Sequence, residues 1–139
     1  MSYLLDTNVV SEARRRGGDP RVVAWLRAVP AEELFLSVLV VGEIRRGIER
    51  LRPRDPAQSE EFERWLDELR HRFADRIVPI DTAIAEEWGR INAAGPVPVE
   101  DGLMAASAKV RGMVFVTRNV ADVAGTGTRV FNPWECAAT

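Results

Sequence analysis

Tyr3-Leu4-Leu5-Asp6-Thr7-Asn8 is a short apolar run that meets its first charge at Asp6. An apolar run without alternation marks a strand covered on both faces, as in a parallel sheet. Thr7-Asn8 then offer capping groups for a helix through Glu12 to Arg16, which Gly17-Gly18 end. Open parallel sheets bind ligands beyond the carboxyl ends of their strands, where helices begin. The stretch therefore places a carboxylate where such a sheet does its work.

The same strand-to-helix unit recurs along the chain. Residues 34–37 read as a strand and 38–51 as a helix closed by Pro53 and Pro56. Residues 77–80 read as a third strand, with Asp81 or Thr82 capping a helix through Asn92 that Gly95-Pro96 break. Residues 114–117 and 129–131 read as the last strands. Between them lie a short helix opened by Pro20 and stopped before Pro30, a helix over 58–73 and a helix over 99–111 ended by Gly112. In the 58–73 segment Phe62, Trp65, Leu66, Leu69 and Phe73 recur at helical spacing. The expectation is one domain over 1–139 in the α/β class: a three-layer α/β/α sandwich with a central, mostly parallel sheet. No repeat, linker or low-complexity tract interrupts it.

Composition narrows the function. At 46% hydrophobic and 29% charged over 139 residues the chain reads as an ordinary globular protein with a sizeable core. Its one cysteine, Cys136, rules out an intrachain disulfide and a cysteine-rich zinc site. No apolar run approaches the roughly 20 residues of a membrane span, and no secretory leader is evident, so a cytoplasmic location with no membrane partner is expected. Lys109 is the exception among nineteen otherwise arginine basic residues. Arg14, Arg15, Arg16, Arg45, Arg46, Arg50, Arg52 and Arg54 are candidate phosphate contacts, with solvated helix surface the preferred reading for most.

The carboxylates carry the chemistry. Asp6 follows the first strand, Glu43 lies about two turns into the helix after the second, Asp101 sits in the first turn of its helix, and Asn119 and Asp122 follow the strand ending at Thr117. Acids gathered on one rim repel one another unless a cation compensates. Asp6 alone could be a simple helix cap. Glu43 shares a helical face with Val40 and Gly47, and glycine at 47 would let another backbone approach. Asp101 aligns with Ala105, Ala108 and Gly112, whereas Glu100 aligns with Ser107 and Arg111 on what reads as a solvent face. Hard divalent cations such as Mg²⁺ or Mn²⁺ take oxygen ligands of this kind and activate water against a phosphodiester. His71, the only histidine, falls on a polar helix face, so a two-histidine mechanism is excluded. Gly125-Thr126-Gly127 lacks the lysine of a phosphate loop and reads as a turn.

Taken in order, Leu4-Leu5-Asp6-Thr7-Asn8, Leu36-Ser37 leading to Glu43, Asp101 with Ala105-Ala106-Ser107-Ala108, Thr117-Arg118-Asn119-Val120-Ala121-Asp122 and Phe131-Asn132-Pro133-Trp134 resemble the PIN-domain family, most closely its VapC-type toxins and their FitB-like relatives. The resemblance covers nearly the whole chain. It implies a PIN-like fold and a ribonuclease whose Asp6, Glu43 and Asp101 hold Mg²⁺ or Mn²⁺, with Thr7, Asn8, Ser37 and Thr117 lining the pocket. The fourth place falls to Asp122, or to Asn119 acting through its carbonyl oxygen. Gly102 replaces a larger residue often found after the third acid, which would loosen the pocket wall. The resemblance further implies a toxin held inactive by a cognate antitoxin, a homodimer, an RNA substrate, and promoter DNA bound only through the antitoxin. Trp25, Phe62 and Trp65 are the exposed apolar candidates for self-association. Two rivals stand beside the nuclease: a non-catalytic binding module, favoured by Asn119 in place of an acid, and a phosphotransferase nucleophile at Asp6, disfavoured by Asn8 where a second acid would be needed.

Overall fold

The computed structural model describes residues 1–135, so Cys136 lies outside the described residues. Its elements are β1 (Tyr3–Leu5), α1 (Thr7–Arg14), α2 (Pro20–Ala28), β2 (Leu34–Ser37), α3 (Val38–Leu51), α4 (Pro56–Arg72), β3 (Ile77–Val78), α5 (Thr82–Ala94), α6 (Val99–Arg111), β4 (Val114–Val116) and β5 (Val130–Phe131), with short 3₁₀ turns between some of them. The five strands form one sheet in the order β3-β2-β1-β4-β5. Each neighbouring pair is parallel: Leu4 stands opposite Phe35 on one side and Phe115 on the other. The six helices flank this sheet, the α/β/α arrangement the apolar strands require.

β1 sits at the centre, and that explains its sequence. Leu4 and Leu5, with Leu36, Phe115 and Val116 on the adjacent strands, are almost wholly buried, so both faces of the sheet are core. Chain order also matters. The strands run outward from β1 through β2 to β3, then cross to the other side of β1 for β4 and β5. The reversal opens a crevice between β1 and β4 at their carboxyl ends.

Local sequence sets the boundaries. α3 and α6 run over the residues the sequence marks, α3 closing before Pro53 and α6 at Gly112. Gly112 ends α6 in the left-handed region at φ 67°, where a side chain would be strained. Other edges differ. α1 is capped by Asp6 rather than by Thr7 or Asn8, and it ends at Arg14. α4 begins at Pro56 under an Asp55 cap, proline being suited to a first helical position. β3 is only Ile77–Val78, because Pro79 has no N–H to give the ladder. After α1 the chain folds tightly: a Cβ on Gly18 would lie 2.3 Å from the Glu12 carbonyl oxygen, so glycine is required there. The buried Glu12 carboxylate accepts a hydrogen bond from the Asp19 backbone N–H at 3.1 Å and clasps the turn.

The three aromatic residues expected to form an exposed patch are half-buried instead. Trp25 packs edge-on to Tyr3 with ring centroids 5.1 Å apart and leans on Phe131 at the same distance. Phe62 and Trp65 pack against each other under the guanidinium of Arg14, which stands 4.1 Å from the Phe62 ring centre. One monomer thus absorbs them, and they no longer argue for self-association.

Phe115 is the largest of the fully buried side chains and packs on the central strand pair. Phe115→Ala should lower unfolding free energy by roughly 3–5 kcal/mol, measured by urea denaturation. A loss below about 1 kcal/mol would show that the sheet is not the core this topology makes it.

Candidate active site

The site grows out of the end of β1. Asp6 is the N-cap of α1, and it is also buried at the crevice. Its Oδ1 accepts from the Thr7 backbone N–H at 2.7 Å. Its Oδ2 accepts from the Thr117 hydroxyl at 2.6 Å and from the Asn8 side-chain amide at 3.3 Å. Thr117, fully buried at the end of β4, also accepts the Asn119 backbone N–H at 3.0 Å. Asp6 is thus a helix cap that also faces the crevice, and capping fixes its carboxylate in one orientation. Burial pushes its pKa up, and the three hydrogen bonds pull against that rise.

A cleft of about 370 Å³ opens here, lined by Asp6, Thr7, Asn8, Ser11, Glu43, Glu100, Asp101 and Asn119. A larger groove of about 730 Å³, lined by apolar residues of α1, α2 and α4 and by arginines, contains no carboxylate. The acid chemistry belongs to the smaller cleft.

Glu43 comes from α3, half-buried, with its pKa raised by burial and further by Asp6 and Glu100. The Thr7 hydroxyl faces it and opposes the rise, although it closes no hydrogen bond of ordinary geometry. Asp101 comes from the first turn of α6, and its pKa is pushed up to about 6, by burial first and then by Asp6, Asp122, Glu43 and Glu100. The three acids singled out from the sequence share one cleft and feel one another's charge. Among the described residues, however, no three His, Cys, Asp or Glu side chains are grouped so as to hold a metal ion unaided.

Other positions sort differently. Asn8, Thr7 and Asn119 line the cleft. Ser37 does not; fully buried, it caps α3 by accepting the Leu39 backbone N–H at 3.1 Å. Thr117 acts through Asp6 rather than lining the wall. Asp122 is exposed in a 3₁₀ turn, outside the lining, yet its charge reaches Asp101. Three expectations need correction. Gly47 is exposed, and a Cβ there would meet nothing within 4 Å, so no backbone approaches it. Gly102 does not loosen the wall: a Cβ would meet Trp88 at 3.2 Å and Asn92 at 3.3 Å, so glycine lets α5 pack tightly on α6. The expected solvent face is only partly one: Glu100 and Arg111 are exposed, Glu100 while also lining the cleft, but Ser107 is fully buried and donates to the Leu103 carbonyl at 2.7 Å.

Ser11 and Glu100 are the lining residues missed by the sequence reading. Ser11 lies one helical turn beyond Thr7, a spacing that puts both on one face.

The donor set is all oxygen: carboxylates, the Asn119 amide, and the buried Thr7 Oγ1 and Asn8 Oδ1, which have no hydrogen-bond partner. That chemistry fits a hard divalent cation held by one or two carboxylates and otherwise by water and substrate oxygens. Histidine is absent from the lining, and the one histidine is exposed on α4.

Because Asp101 titrates higher folded than unfolded, the unfolded chain ionises first as pH rises. This group's contribution therefore falls between about pH 4 and 6, and the penalty is complete above that window. Without divalent cation, Asp101→Asn should raise the melting temperature at pH 7 by about 2–4 °C. The gain should vanish below pH 4. An equal shift at both pH values, or a loss at pH 7, would contradict the charge crowding.

Residues 3–121 match the model of the PIN domain. The chain is 34% identical over 136 residues to the Toxin FitB of Neisseria gonorrhoeae, spanning 94% of this chain and 97% of that one. It is 30% identical over 139 residues to the VapC ribonuclease Y4jK of Sinorhizobium fredii, spanning 96% and 99%. A solved structure of FitAB bound to an IR36 DNA fragment superposes with a TM-score of 0.88 at 32% identity, covering 98% of both chains. By sequence match and by fold together, this chain belongs to the PIN-domain family.

Proposed function

We propose that the protein is a divalent-metal-dependent endoribonuclease and the toxin of a toxin–antitoxin pair. The observation that carries the enzymatic reading is the cleft itself: Asp6, Glu43, Glu100 and Asp101 line one small space at the β1/β4 crevice, with Asp101 pushed up to about 6. Such crowding is costly without a cation and useful with one.

Asp6 and Asp101, with Glu43, would hold the ion, and bound Mg²⁺ or Mn²⁺ would supply an activated water and neutralise charge on the phosphodiester. The chain's own residues prepare that place. Thr117 and the Thr7 backbone N–H fix the two Asp6 oxygens, so the carboxylate pays no reorganisation on binding. Thr7 Oγ1 and Asn8 Oδ1 are available as acceptors for water or ligand. Asn119 lines the fourth wall and offers a carbonyl oxygen, while Asp122 adds charge near Asp101 from outside the lining.

The names of the relatives support the biology: one is a toxin, another a VapC ribonuclease, and FitAB is seen on DNA. On this reading RNA is the substrate, a cognate antitoxin the inhibitor, promoter DNA a ligand of the two-protein complex through the antitoxin, and the toxin a cytoplasmic homodimer. No helix among the described residues is long and apolar enough to cross a membrane. A non-catalytic binding module is the second reading, favoured by the absence, among the described residues, of three acids grouped so as to hold an ion unaided.

Cleavage of a mixed RNA pool by the purified chain, freed of any partner, separates the two. Asp6→Asn should cut the rate by roughly 100-fold or more while leaving the fold intact, and EDTA should silence the parent until Mg²⁺ or Mn²⁺ is restored. Thr117→Val, which removes the hydroxyl that orients Asp6 and accepts the Asn119 N–H, should cost about 10–100-fold. Undiminished cleavage by Asp6→Asn, or in EDTA, would falsify the metal-nuclease reading; a parent inert on all RNAs would favour the binding module.

A further inference from the structure

An acidic cleft has difficulty with a polyanionic substrate. Asp6, Glu43, Glu100 and Asp101 repel phosphate, and a cation among them offsets only part of that charge. A basic group beside the acids would complete the match, and α3 supplies one. Arg46 lies three residues beyond Glu43, and its positive charge opposes in small part the rise of the Glu43 pKa. Its Nη1 meets Glu100 Oε1 at 3.5 Å, joining the α3 wall to the α6 wall, with both side chains half exposed.

Two neighbouring arginines, Arg45 and Arg52, are engaged otherwise. Arg45 makes two bonds to Glu63, at 2.8 and 2.6 Å, and a third to Glu49 at 3.2 Å. Arg52 reaches Glu49 at 3.0 Å, Glu63 at 3.2 Å and Glu60 at 3.4 Å. These form a network that braces α3 on α4. The Arg46–Glu100 pair is a single long contact in solvent, a kind that contributes little to stability and exchanges readily. A phosphate offers the guanidinium a planar, two-pronged match that this contact does not.

We propose that Arg46 takes hold of an RNA phosphate at the cleft, and that Glu100 is the partner that keeps its guanidinium in place until RNA arrives. The proposal rests on the nuclease reading and adds a binding residue to it. On RNA entry the guanidinium leaves the Glu100 carboxylate for the phosphate, and no covalent bond changes. Glu100 then acts as a competitor for Arg46, which separates this role from that of a structural brace: a brace fails equally when either partner is lost, whereas a competitor's loss helps.

The test is the affinity of a single-stranded RNA oligonucleotide, read by fluorescence anisotropy across a range of salt in the uncleaving Asp6→Asn protein, with kcat and KM measured in the otherwise unchanged chain. Arg46→Gln should weaken binding about 5–20-fold and flatten the log–log salt slope by about 0.7–1, with KM rising and kcat little changed. Glu100→Gln should bind RNA as well as the parent or a few-fold tighter. Unchanged affinity and slope in Arg46→Gln, or equal weakening in both variants, would overturn the proposal. A parent that binds RNA but cleaves none would overturn the nuclease reading alone, since the affinities still decide Arg46. A parent that binds no RNA would overturn both.

Discussion

The hydrogen bond from the Thr117 hydroxyl to Asp6 ties the two halves of the molecule at the point where the sheet reverses direction. Asp6 ends β1 and Thr117 follows β4, residues 111 apart in sequence and adjacent only because the chain crosses over β1 before its last strands are laid down. At 2.6 Å the bond is short, and a hydroxyl donating to a carboxylate in a buried setting is among the stronger neutral-to-charged contacts. It holds a carboxylate that burial alone would push toward protonation. Without it Asp6 Oδ2 would keep only the longer bond from the Asn8 amide, while Oδ1 would stay held by the Thr7 N–H.

The rest of the site is arranged around that fixed group. α3 brings Glu43 from the β2 side, and α6 brings Glu100 and Asp101 from the strand-crossing side. Tight packing of α5 on α6 at Gly102 sets where the first turn of α6 stands. The electrostatic result is a region poorly satisfied in the free protein: raised carboxylate pKa values, two buried oxygens without donors, and a rim arginine lightly held by one acid. Each is a local violation of the rules the core obeys, and such violations gather where function is carried.

Much of this was legible in the residues. The fold announced itself because apolar runs such as Tyr3–Leu5 and Val114–Val116 do not alternate, and because stop signals close the helices, Pro53 after α3 and Gly112 after α6. Asp6, Glu43 and Asp101 were legible because strand ends are where an α/β sheet places its chemistry. Glu100 was not. Its wheel alignment with Ser107 took a serine for a sign of solvent, while Ser107 is buried by turning its hydroxyl back on its own helix. In a first turn, moreover, no preceding turn covers the side chain, so Glu100 reaches across to α3 through Arg46. Gly47 and Gly102 show the same limit from the other side: glycine at 47 faces open space and glycine at 102 faces a tryptophan, and nothing local distinguishes them. The apolar candidates Trp25, Phe62 and Trp65 were misplaced because partner rings and an arginine cover them, contacts set by tertiary packing alone.

The central claim is that the carboxylates of the β1/β4 crevice exist to hold a divalent cation. Crystals soaked in Mn²⁺ and measured at a wavelength where manganese scatters anomalously would locate the ion without reference to activity. The account predicts an anomalous peak in the cleft, within direct or water-bridged reach of Asp6 and Asp101. No peak there at saturating Mn²⁺, or a peak only at the surface carboxylates Glu49, Glu60 and Glu63, would contradict it.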